Sequence, residues 1–279
     1  MFVLPLKGNR KLDNNTSNKT EKALPLFFYT AIFAAIAIVV QGMAVVFGYD
    51  PVMQVYKLGS VVGKASGFIL FAEIVIFSLL SILMLRGKNK LTSLPDHSDV
   101  TAFLSAAAGC VIVASSFILF YESRRYFGNV HTVTSVMAIL SIPAGASFIL
   151  PILNKKSEGL ISYFGFFPII WASTCLLRIY FDVGAAINDP IRILFQVSFA
   201  AVMLALLFEQ KVRIGKGGTI PLIIFSGVAI ILGLASVLSM TLLFIIPKTV
   251  TAGEILLSTS QLLICLDLFV KMYSELKEL

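Results

Sequence analysis

The sequence predicts an all-α fold: a polytopic integral membrane helix bundle with about eight transmembrane helices and both termini in the cytoplasm. Three observations carry that prediction. Of the 279 residues, 58% are hydrophobic and only 13% charged, against about 45–50% and about 25% in soluble chains. Mean hydropathy is +0.93, so lipid must be the solvent for most of the chain. The third observation is the placement of basic residues, taken up after the spans themselves.

Residues 1–22 are polar and read as a basic cytoplasmic tail. Met1 to Leu6 is too short to be the apolar core of a signal peptide, which needs about 7–15 residues. Eight apolar stretches follow, over 24–48, 66–86, 100–121, 132–153, 160–181, 190–208, 219–246 and 253–273. Each approximates the ~20 residues that cross a ~30 Å hydrocarbon layer. Residues 23–273 form the transmembrane domain, and 274–279 a short cytoplasmic tail. The longest connection, about 49–65, is too short for a catalytic domain, so function must reside among helices or short loops.

Charge placement supports eight spans. With the N-terminus inside, fifteen of the 22 Lys and Arg fall on cytoplasmic segments, including Arg86, Lys155, Lys211, Arg213, Lys216 and Lys271. Six fall on the opposite side: Lys57, Lys64, Arg124, Arg125, Arg192 and Lys248. Arg178 alone lies within a span. The bias has the sign of the positive-inside rule, and it makes the formal charge of +7 a topology signal rather than a nucleic-acid footprint.

Several features read as packing. Ala31 with Ala35, Ser105 with Gly109, and Ala229 with Gly233 have the small-xxx-small spacing that lets helices approach closely. Pro143 and Pro168 fall within the fourth and fifth spans, where proline removes a backbone hydrogen bond and kinks a helix. Kinked helices often line transport sites. Cys110, Cys175 and Cys265 form no CxxC or disulfide pattern and read as buried small apolar groups. Ile69-Leu70-Phe71 before Glu73 echoes Ile193-Leu194-Phe195 before Gln196, a weak hint of two parallel four-helix halves.

Familiar chemical motifs fail on inspection. His97 and His131 with three scattered cysteines give no zinc spacing. Ile214 to Thr219 lacks the full phosphate-loop pattern, and Gly145-Ala146-Ser147 has no histidine at membrane depth to activate the hydroxyl. Asp267 and Lys271 have the Asp-xxx-Lys spacing of retinal-binding proteins. Against that resemblance, Lys271 lies at the cytoplasmic end, where it snorkels to lipid phosphates, and the chain has one tryptophan and an extra helix. No cofactor, metal site or catalytic residue is expected, and the chain reads as no enzyme.

Intramembrane polar groups remain. A charge at bilayer depth costs about 2.5–3.5 kcal/mol on insertion scales and tends to serve function. Glu73 lies roughly 10 Å deep in span 2 at helical rise, and Arg178 near the outer end of span 5. Gln41 and Gln196 fall in the outer halves of spans 1 and 6, with Gln261 nearer the middle of span 8. Asp182 and Asp189 flank the short 5–6 loop. The inner half shows only Asp267 as an isolated acid. These positions suggest an outward-facing polar site in which Glu73 and Arg178 pair or jointly hold a ligand, with Gln41, Gln196 and Gln261 as further binding residues. Arginine suits a carboxylate or phosphate because its planar fork binds bidentately. The structural counter-reading is an ion pair stitching spans 2 and 5. Tyr121 to Phe127 reads as an interfacial anchor.

The function expected is that of a small-solute transporter, or the membrane component of one, in a bacterial cytoplasmic membrane. Its partners would be the lipid bilayer, a small polar or anionic solute, and a membrane or cytosolic subunit; nucleic acid is excluded. The alternative is a non-catalytic membrane sensor or assembly subunit that binds a ligand or partner protein. A transporter moves solute when reconstituted alone; a subunit is inert without its partner.

Overall fold

The computed structural model describes residues 24–87, 98–124, 129–153, 163–182, 186, 188–246 and 249–279. The expected N-terminal tail and the basic residues Lys88, Lys90, Arg125, Lys155, Lys156 and Lys248 lie outside the described residues, as do His97, Tyr126 and Phe127.

Eight helices account for nearly all of the described chain: α1 (Pro25–Met43), α2 (Val61–Leu85), α3 (Asp99–Ser123), α4 (Asn129–Leu153), α5 (Phe167–Phe181), α6 (Pro190–Arg213), α7 (Thr219–Ile245) and α8 (Ala252–Glu278). Seven are long and apolar enough to cross a membrane; the chain is a multi-pass membrane protein. The helix starts follow local chemistry. Ser60, Ser98 and Asp189 accept hydrogen bonds from the first free N–H groups of α2, α3 and α6. Thr251 and Glu254 form a reciprocal capping box on α8. Ser60 sets α2 to begin at Val61, five residues before the apolar run suggests.

α5 departs most from expectation. It has 15 residues instead of a full span over 160–181, about 22 Å at helical rise. Pro168 opens this helix, where its missing N–H costs no hydrogen bond, and so does not kink it. Pro143, together with Pro151, does sit inside α4. α6 and α8 run past their expected ends at 208 and 273 by about one turn each. The stretch 274–278 therefore continues α8 rather than forming a tail.

Helices α3 to α8 close on themselves. Each packs on its successor and α8 returns to α3, while α1 and α2 lie outside against α7. Accordingly α7 is the most enclosed helix, with 61% of its apolar window buried, and α2 the least, with 28%. The first turns of α1 meet the last turns of α8, through Phe27 on Phe269 and Thr30 on Met272. Both described ends thus lie at one face of the bundle, hereafter the terminal face. At the opposite face α1 ends in a wide turn, Ala44–Gly48, and leads into a two-stranded hairpin that pairs Tyr49 with Tyr56. The packing does not repeat between the two halves of the chain, since α1 lies along α7 whereas α5 lies between α4 and α6.

Small residues set the closest approaches, as expected where lipid gives helices no hydrophobic drive to associate. At Gly109 an added Cβ would come 2.6 Å from the Gly145 carbonyl oxygen, and at Gly145 one would come 2.7 Å from that of Gly109. Gly233 faces the Cys265 thiol, and Gly227 receives the Phe77 ring. The expected Ala31/Ala35 seam is not used: Ala35 is exposed, and Thr30, Ala34, Ala37 and Gln41 turn inward instead. Cys175 and Cys265 are buried as expected, but Cys110 is exposed on α3. Buried hydroxyls mostly return to their own helix, as Thr30 does to the Leu26 carbonyl and Ser81 to that of Phe77; this satisfies them without water.

Candidate functional site

Two clusters of polar groups stand out, one at each end of the bundle. At the face opposite the termini, a cavity of about 230 Å³ opens among the hairpin, the end of α5 and the starts of α6 and α8. Its polar lining includes Arg178 on α5 with Asp182 just beyond it, Asp189 just before α6 with Arg192 on it, and Glu254 on α8. The hairpin covers it. Tyr49 Oη lies 3.2 Å from Asp189 Oδ1, and the Ala186 N–H donates to Gln54 Oε1 over 2.6 Å. Asp189 also caps α6 through the Ile191 N–H. Burial raises its carboxyl pKa, an effect offset in part by the Ile191 N–H, the Tyr49 hydroxyl and Arg192. Burial, with the Asp189 charge beside it, likewise raises the Tyr49 phenol, which remains a neutral donor.

The two arginines of this cavity have different tasks. Arg192 donates to the carbonyls of Ile179, Tyr180 and Ala186 and so closes the C-terminus of α5. Arg178 is only 8% exposed. Its Nη2 lies 3.5 Å from Glu254 Oε1, and its Nε has no hydrogen-bond partner. Glu254 is itself divided, because its other oxygen accepts the Thr251 N–H of the capping box. Among the described residues, a buried guanidinium with an unpartnered Nε thus meets Glu254 at long range.

Of the five residues singled out from sequence, only Arg178 lines this cavity. Its ionic partner is Glu254, not Glu73. Glu73 lies on the buried stripe of α2 with Leu70 and Phe77, and neither carboxylate oxygen has a hydrogen-bond partner among the described residues. Gln41 donates to Tyr56 Oη at 3.4 Å and borders a separate, mainly apolar groove between α1, α2 and α6. Gln261 is fully buried and donates to Ser198 Oγ at 2.7 Å, tying α8 to α6. Gln196 is half-buried on α6. Within the expected anchor, Arg124 lies over the rings of Phe120 and Tyr121, and Glu122 accepts the Gly253 N–H at the start of α8.

The second cluster, at the terminal face, corrects two expectations. Asp267 is not isolated and Lys271 does not snorkel away. Lys271 Nζ lies 2.7 Å from Asp267 Oδ2 and 2.9 Å from Glu209 Oε1. Arg213 reaches the same Glu209 oxygen at 3.3 Å, and Ser105 on α3 donates to Asp267 Oδ1 at 2.9 Å. Glu275, one turn beyond Lys271, is 2% exposed. A small cavity of about 40 Å³ borders Glu209, Gln210, Lys271 and Ser105.

Sequence reasoning passed over Glu254, Glu209 and Glu275, although each left a trace. Thr251-xx-Glu254 is a capping-box pattern. Glu209 with Arg213, and Asp267 with Lys271 and Glu275, follow the four-residue spacing of one helix face. Among the described residues, no group of three or more His, Cys, Asp or Glu is placed to hold a metal ion. No family model, curated protein or solved structure matches the chain.

Proposed function

We propose that this protein carries a small polar solute bearing an anionic group, captured in the cavity opposite the terminal face. The observation that carries the reading is Arg178: a buried cation whose Nε has no partner among the described residues and whose ionic contact with Glu254 is 3.5 Å long. A carboxylate or phosphate on the solute would take those donors bidentately. Asp182, Asp189 and Glu254 supply acceptors for a polar or cationic group elsewhere on the same molecule. At roughly 30 Å³ per water, the cavity suits a solute of amino-acid size.

The Lys and Arg tally supports an orientation with this cavity outside and the terminal face in the cytoplasm. The hairpin, pinned at Asp189 and Ala186, is the natural cover. The reading assigns no bond-making chemistry to the chain; the residues bind and orient.

The test is uptake by proteoliposomes holding this chain alone, with radiolabelled amino acids, small monocarboxylates and inorganic phosphate as probes. Wild type accumulates at least one class, and Arg178→Gln abolishes that accumulation while inserting normally. Glu73→Gln, which lies off the cavity, keeps it. Inert wild-type vesicles, with a partner chain co-purifying from the membrane, favour the sensor or assembly subunit instead.

A further inference from the structure

The charge network at the terminal face does not bear on solute capture, and its geometry has a distinct meaning. Five ionisable side chains gather there: Glu209, Asp267 and Glu275 against Lys271 and Arg213. Lys271 serves two of the acids, with Nζ within 2.9 Å of an oxygen of each. Arg213 serves Glu209 again. Glu275 has neither cation within ion-pair distance, although it is 98% buried by the same measure that gives it 2% exposure. Among the described residues its Oε2 has no hydrogen-bond partner. An ionised carboxylate oxygen buried without a donor carries a full desolvation penalty.

We propose that Glu275 is a proton-binding site, which the Glu209–Lys271–Asp267 network holds at the inner end of the solute path. The carboxyl sits within electrostatic reach of Glu209, Asp267, Lys271 and Glu278. The other helices packed on α8 add little. α7 carries no ionisable side chain, α1 carries only Tyr29, and α3 brings Asp99 at its exposed start. A proton on Glu275 removes the uncompensated charge and leaves two acids facing two cations.

A metal cation fits the place less well. The Lys271 ammonium already occupies the cradle between Asp267 Oδ2 and Glu209 Oε1, where a cation would find its oxygens. The neighbouring cavity of about 40 Å³ has room for about one water. It touches Glu209 and Lys271, so water can bring protons to the network without a wide opening. The role of this proton as a coupling ion rests on the transport reading; its binding does not.

Infrared difference spectroscopy of the whole chain in nanodiscs, stepped in pH, tests the site directly. Wild type shows a protonated-carboxyl C=O band that disappears as pH rises. Glu275→Gln loses that band, Glu275→Asp retains a shifted one, and Glu278→Gln leaves it unchanged. Because Asp189 and Glu73 are also buried acids, the spectra are taken in an Asp189→Asn, Glu73→Gln background; a band left undiminished there by Glu275→Gln overturns the proposal, as does a band that responds to replacing choline by sodium at fixed pH. Uptake of the probes is then compared under an inward and a collapsed pH gradient. Coupling predicts a several-fold gradient effect in wild type that Glu275→Gln abolishes; an equal gradient effect in both overturns the coupling. Should no probe be taken up, the infrared result still decides the proton site on its own.

Discussion

Replacing Lys271 by Met separates the network from the snorkelling lysine expected of a helix end. In the structure the substitution removes an ammonium held 2.7 Å from Asp267 and 2.9 Å from Glu209. The two acidic side chains are only 1% and 8% exposed. Removing one partner of a buried ion pair costs about 3–5 kcal/mol, because the remaining charge stays buried and unpaired. The two acids do not share this cost equally. Glu209 keeps Arg213 at 3.3 Å, whereas among the described residues Asp267 keeps the Ser105 hydroxyl and no second cation. Most of the loss should therefore be returned by adding Asp267→Asn to Lys271→Met, and less by adding Glu209→Gln. Equilibrium unfolding in mixed micelles measures all three. Lys211→Met is the matched control, since Lys211 is exposed and lies 4.9 Å over the Phe208 ring; such a contact is worth about 0.5–1 kcal/mol. If Lys271→Met costs no more than Lys211→Met, Lys271 faces lipid phosphates and the network argument fails.

Three further outcomes follow from other parts of the bundle. Gly109→Ala and Gly145→Ala should each destabilise by about 1–3 kcal/mol through overpacking, and the pair should cost less than the sum because both separate α3 from α4; Gly67→Ala, with open space around it, should not destabilise. Asp189→Asn tests the buried cap. A raised folded-state pKa means that Asp189's contribution to stability is present at acid pH and lost as pH rises through that pKa. The Asn variant, which keeps a capping oxygen, should thus gain on wild type between acid and neutral pH in thermal melts, and parallel pH profiles would refute this. Glu73→Leu should raise the melting temperature, since both carboxylate oxygens lack partners and apolar replacement of buried polar groups is often stabilising; a fall would show that Glu73 has a structural partner.

The fold was legible because lipid enforces a coarse rule. A spanning segment must satisfy its backbone internally and present apolar side chains outward, so Pro25–Met43 or Thr219–Ile245 can be read from hydropathy alone. The same rule says little about where a helix starts or stops. Ser60 extends α2 by five residues through one side-chain cap, and Pro168 turns an expected kink into a helix start. Both are local hydrogen-bonding facts to which a count of apolar residues is blind. Rotation about the axis was equally hidden: Ala31 and Ala35 have the correct spacing, yet the buried face of α1 is the one bearing Ala34 and Ala37.

The candidate site was less legible, for a related reason. Ending each span at its last apolar residue removed from view the turns that carry Glu209, Arg213 and Glu275, and it left Lys271 at a helix end. Once α6 and α8 are allowed to continue, Asp267, Lys271 and Glu275 fall four residues apart on one face, and that face meets Glu209. The pairing of Arg178 failed differently. Sequence depth placed Glu73 and Arg178 in the same half of the bilayer, but depth does not fix neighbourhood. α2 packs on α1 and α7, outside the ring formed by α3 to α8, whereas α5 belongs to that ring and turns Arg178 toward the first turn of α8. The capping box that anchors Glu254 there is therefore part of the site's chemistry. By committing one oxygen of Glu254 to the helix start, it leaves a single carboxylate oxygen to face Arg178.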